Sequence, residues 1–101
     1  MTLPRKNDSN LIAICARTHS GRPFLIPNER HNHLILYSLG RACKETRSEI
    51  CSSTWMSTHH HTQIRSAQRA GSAFARFCHG TYTSMFNYLH RRETGIWDTD
   101  A

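Results

Sequence analysis

Apolar positions along this chain follow two periods. After a polar opening over residues 1–10, Leu11-Ile12-Ala13-Ile14-Cys15-Ala16 is a short run rich in strand formers and predicts a buried first strand. Beyond it the period changes. Ile35, Leu36, Leu39, Ala42 and Cys43 recur at three and four residues, which predicts a helix over 29–46 with one face against a sheet. Asn28, after Pro27, supplies an N-cap, and His19-Ser20-Gly21-Arg22-Pro23 upstream is turn chemistry. Two strands are predicted over 49–56 and 59–67, joined through Ser57-Thr58. Helical spacing returns from Ser72 in Phe74, Phe77, Cys78, Met85, Phe86 and Leu89, with Gly95 placed as its stop. The order β, α, β, β, α is most of a ferredoxin-like βαββαβ unit. It predicts an α+β fold, incomplete βαββα(β), with an antiparallel sheet, both helices on one face and no closing strand.

Composition narrows the partners. The 101 residues allow one small domain, read as a polar segment over 1–10 followed by a partial domain over 11–101. Thirteen Lys and Arg against seven Asp and Glu leave a net charge of +6 with His neutral, which favours a polyanion such as nucleic acid, although a solubilising surplus has the same sign. Cys15, Cys43, Cys51 and Cys78 form no CxxC pair and no signal-like apolar run opens the chain, so reduced thiols in a cytoplasm are expected. No stretch has the roughly 18 apolar residues of a membrane-spanning helix, and no membrane partner is expected.

The one biased tract is His59-His60-His61. In a strand, alternate side chains share a face, so His59 and His61 project together and His60 points the other way. Two neighbouring imidazoles suit a divalent metal with positions left for phosphate and water. The spacing equally fits a polar histidine run in a loop, or a fortuitous nickel or zinc site. A zinc site drawn from Cys43, Cys51, Cys78, His79 and the triplet lacks the usual paired ligand spacings. Cys51 and Cys78 read instead as small core residues.

In context, Trp55-Met56-Ser57-Thr58-His59-His60-His61 resembles the signature of REP-associated tyrosine transposases, single-tyrosine HUH enzymes in which an apolar strand leads to His-aromatic-His. Further pieces in the same order are similar to that family: Arg22-Pro23-Phe24-Leu25-Ile26-Pro27 with Leu34-Ile35-Leu36-Tyr37-Ser38-Leu39, then Phe74-Ala75-Arg76-Phe77-Cys78-His79 with Met85-Phe86-Asn87, and finally the Arg91–Asp98 stretch ending in Ile96-Trp97-Asp98. The resemblance covers most residues after Leu11. It implies a palm that binds folded single-stranded DNA, with Mg2+ or Mn2+ on His59, His61 and a third polar ligand. It also implies a tyrosine that attacks the phosphodiester to leave a 5′-phosphotyrosine. The chain departs from the family at His60, where an apolar residue is usual, and at Thr58, where Asn is usual. A buried His60 must find a partner or cost stability.

The family's nucleophilic tyrosine sits on a later helix, past the region that Trp97-Asp98 resembles, so the resemblance predicts a domain lacking its nucleophile. Tyr82 and Tyr88 lie on the second helix, and Tyr82 is the better candidate within the chain, with a core role beside Phe77 and Phe86 as the alternative. Arg65, Arg69, Arg76, Arg91 and Arg92 are the candidate contacts to single-stranded or hairpin DNA. Three readings follow: an impaired strand-cleaving and strand-joining enzyme, a DNA-binding module without chemistry, and a poorly folded product whose open sheet edge favours a homodimer.

Overall fold

The computed structural model describes residues 11–66 and 70–98. The polar segment 1–10 and Arg69 lie outside the described residues, as does the predicted end of the second hairpin strand at Ala67. The elements are β1 (Leu11–Arg17), α1 (Glu29–Thr46), β2 (Glu49–Met56), β3 (His59–Arg65) and α2 (Gly71–His90), with a short 3-10 turn at His19–Gly21. The three strands form one antiparallel sheet in the order β1-β3-β2. This is the α+β, βαββα arrangement that the periodicity predicts.

The helices begin and end for local reasons. The Asn28 side chain accepts the His31 backbone N–H at 2.8 Å, satisfying one of the free donors of the first turn of α1. Arg47 and Arg91 close α1 and α2 in the left-handed conformation, each donating its backbone N–H back into the last turn. Thus α2 stops at His90, five residues before the predicted Gly95. Arg91 takes the φ of +56° that a glycine would ordinarily supply.

Both helices cover one face of the sheet. Ile14 and Ile64 from the strands meet Ile35, Leu39 and Ala42 of α1 and Phe74, Cys78, Tyr82 and Phe86 of α2 in a single core. Among the described residues nothing covers the opposite face, which overturns the expectation of a buried first strand: Ala13, Cys15 and Arg17 are exposed, and Ile14 is the only buried residue of β1. Two smaller expectations also change. Leu36 is 66% exposed because it falls outside the core-facing stripe of α1. Cys51 is exposed at the irregularity where the β2–β3 register slips between Ile50 and Ser52, whereas Cys78 is buried as expected. The chain after α2 returns to the free edge of β1, where Thr18 bridges Trp97 in antiparallel sense. There His19 N–H donates to the Ile96 carbonyl, and Asp98 N–H to that of Arg17. This single bridge stands where a closing strand would run, and among the described residues no fourth strand is formed. Among the described residues, no helix is long and apolar enough to cross a membrane.

Candidate functional site

The histidine triplet lies in the central strand, not in a loop. Strand alternation sends His59 and His61 to the bare face with their ring centroids 5.3 Å apart, and turns His60 into the core at 1% exposure. Register then decides their neighbours. Cys15 stands opposite His61 and Arg17 opposite His59 across β1, and Thr54 and Met56 face them from β2. The Cys15 Sγ lies 3.1 Å from His61 Nδ1, and Thr58 Oγ1 lies 3.3 Å from His59 Nδ1. When each Nδ1–H donates to those partners, both Nε2 lone pairs are left for a cation. A cleft of about 550 Å3 at this end of the sheet is lined by Cys15, Arg17, His59, His61, His79 and Asp98.

His60 answers the demand for a buried partner through a polar chain beneath the pair. Trp55 Nε1–H can only donate, and it does so to Ser53 Oγ at 2.8 Å. Ser53 Oγ–H can then donate to Thr62 Oγ1 at 2.7 Å, and Thr62 O–H to His60 Nδ1 at 2.9 Å, one of the two directions these contacts allow. That order leaves the His60 proton on Nε2, from which it donates to His79 Nε2 at 2.8 Å. Trp55 stacks on His60 at 3.9 Å, which leaves that ring 1% exposed, and Trp97 stacks on the half-buried His79 at 4.2 Å. Burial pushes His60 down to about 3, with repulsion from His79 and the flanking histidines adding to it, and pushes His79 down to about 4. Both imidazoles are neutral at physiological pH. The strand that carries the outward pair is thereby pinned from below.

Tyr82, the candidate nucleophile, is fully buried on the helix side of the sheet, stacked on Phe86, with its hydroxyl donating to the Phe24 carbonyl at 3.0 Å. Burial raises its pKa far above the usual phenol value. Its hydroxyl and the outward imidazoles lie on opposite faces of the sheet, so in this fold Tyr82 packs the core. The candidate arginines do not converge. Arg65 is on the bare face, paired with Glu49 at 3.7 Å. Arg76 lies on the solvent side of α2 over Phe77. Arg92 is committed to the loop after α2, over the Phe24 ring at 4.5 Å and hydrogen-bonded to Asn87 and Thr94. Arg91 is the exposed C-cap of α2. Arg17 and Cys15, which flank the histidine pair, were missed. Period-two alternation in β1 puts both on one face, but their register against β3 was not legible.

Two imidazoles are an incomplete ligand set. Among the described residues no three His, Cys, Asp or Glu side chains are placed to hold a metal ion together. Imidazole nitrogens would suit Mn2+ better than Mg2+, which prefers oxygen ligands. The zinc grouping around Cys43, Cys51 and Cys78 is not assembled: Cys78 is in the core, Cys51 is exposed, and His79 is engaged by His60. Comparison of the chain with known protein families and with curated proteins finds no match.

Proposed function

We propose that this domain binds single-stranded or hairpin DNA across the bare face of its sheet, with a divalent ion, Mn2+ or Mg2+, shared between the His59–His61 pair and a DNA phosphate. The observation that carries this reading is the outward projection of His59 and His61, side by side on an uncovered strand beside Arg17, while His60 is locked inward. Arg17 and Arg65 lie on the same face and supply the phosphate contacts. Held by His59 and His61, such an ion would supply Lewis-acid polarisation of the phosphate. The chain's own residues fix the imidazole spacing, direct Nε2 outward and exclude water from beneath the strand. The resemblance to HUH transposases favours DNA as the polyanion and strand cleavage and joining as the ancestral chemistry. Tyr82 is in the core, and the exposed Tyr37 and Tyr88 lie on the outer surface of the helices, away from the histidine pair, so the supported activity is metal-assisted DNA binding.

The test incubates the protein with labelled hairpin DNA in Mn2+ or in EDTA, with native and denaturing gels run in parallel. Mn2+-dependent retention in the native gel that is lost in His59→Ala/His61→Ala supports the reading. Binding indifferent to both Mn2+ and the double variant would sink it.

A further inference from the structure

The solvent side of the helix pair carries a second feature that the sheet-face reading does not use. Helices α1 and α2 run antiparallel, with His31 at the start of one meeting His90 at the end of the other. Their outer surfaces enclose adjoining depressions of about 470, 500 and 480 Å3. Tyr37 and Arg41 are common to the first two, and Ser84 and Met85 to the last two, so the three form one groove along the pair.

Its charge is one-sided. Arg30, Arg41, Lys44 and Arg76 line it, against Glu45 as the only acidic residue among the described lining residues. Arg30 and Lys44 are about 21 Å apart along α1 at 1.5 Å per residue, which is room for several nucleotides. The two central guanidinium groups are held in place, since Arg41 and Arg76 both lie over Phe77, at 5.9 and 5.4 Å from its ring centroid. Aromatic surface remains for a ligand: Tyr37 is 58% exposed and Tyr88 88% exposed, at successive stations of the groove. Gly40 and Gly80 add a further sign. A Cβ at either would meet nothing within 4 Å, so packing does not demand glycine there, and their effect is to leave bare backbone in the groove.

We infer that this groove is a second binding site, for unpaired single-stranded nucleic acid, in which Arg41 and Arg76 hold phosphates and Tyr37 stacks a base. The inference rests on the nucleic-acid partner proposed above, but it lies on the opposite side of the molecule and needs no metal. Fixed cations beside exposed rings match the alternation of phosphate and base along a single strand, whereas a duplex would leave the rings unused.

The test is fluorescence anisotropy of labelled twelve-residue oligothymidylate in EDTA across a salt series. Arg41→Glu/Arg76→Glu weakens binding more than tenfold and flattens the log K against log salt slope by about 1.4, the value for two single-strand phosphates. Arg41→Lys/Arg76→Lys keeps the slope. Tyr37→Ala weakens binding about fivefold or more at unchanged slope. Four outcomes overturn the inference. Wild-type affinity in the charge-reversed variant, with circular dichroism unchanged, is the first, and displacement by polyglutamate as effective as by unlabelled oligothymidylate is the second. Loss of oligothymidylate binding in His59→Ala/His61→Ala alone is the third. The fourth, no oligothymidylate binding in EDTA while Mn2+-dependent hairpin binding persists, removes the groove and leaves the sheet-face reading intact.

Discussion

Replacing Thr62 by Val changes the middle of the buried polar chain and little else. The two side chains are nearly isosteric, so packing against His60 and Ile64 is kept while a hydroxyl 2% exposed is removed. Thr62 Oγ1 is the sole link between Ser53 Oγ at 2.7 Å and His60 Nδ1 at 2.9 Å. His60 Nδ1 is then left without a partner in a site closed by Trp55, at a cost of about 1–3 kcal/mol. Ser53 is half-buried and regains water, adding roughly 0.5–1.5 kcal/mol for the lost bond. A total of about 1.5–4.5 kcal/mol corresponds to a fall in Tm of roughly 7–22 °C for a domain of this size. Thermal and urea denaturation followed by circular dichroism at pH 7.5 measure it, with Thr54→Val as the control. Thr54 is exposed on the outer face of the sheet, so its replacement stays within about 0.5 kcal/mol. Thr62→Val as mild as Thr54→Val would refute the claim that this chain pins the strand.

Three further outcomes are expected. His60 and His79 are held neutral down to about 3 and about 4, whereas an unfolded chain protonates histidine near 6.5, so the unfolded state binds more protons between those values. Stability is therefore complete above about pH 6.5 and falls on acidification, by up to about 1.4 kcal/mol per pH unit per histidine. A urea midpoint independent of pH from 7.5 to 5 would contradict this. Gly80→Ala stabilises α2 by about 0.5–1 kcal/mol, since its Cβ meets nothing within 4 Å, while Gly71→Ala lowers Tm because a Cβ there comes within 2.9 Å of Ile12 Cγ2. Tyr82→Phe removes the hydroxyl bond to the Phe24 carbonyl and costs about 1 kcal/mol in urea denaturation, yet leaves Mn2+-dependent DNA binding in a native gel unchanged.

The elements were legible wherever one local signal dominated. Asn28 after Pro27, with the three-and-four spacing through Ala42, gave both ends of α1, and strand alternation alone separated His60 from its neighbours. Signals acting at a distance were not legible. Gly95 is the conventional helix stop, but hydrogen bonds from Arg92 to Asn87 and Thr94 turn the chain earlier and let Arg91 accept the left-handed cap. An apolar run such as Leu11–Ala16 reads the same whether one face of its sheet is covered or two, and Cys15 and Arg17 are exposed because the helices cover only the other face. The partner of His60 is likewise non-local: His79 lies nineteen residues on, and nothing in its own turn of α2 marks it as the acceptor. Charge carries no direction, and the described candidate arginines scatter over the sheet face, the helix face and a structural loop.

The most direct measurement is electron paramagnetic resonance of Mn2+ titrated into the protein with hairpin DNA present, for the wild type and for His59→Ala/His61→Ala. One tightly held ion per wild-type chain, absent in the double variant while its thermal unfolding stays cooperative, is the predicted result. Equal Mn2+ uptake by both proteins would contradict a metal-sharing histidine pair on the open face of the sheet.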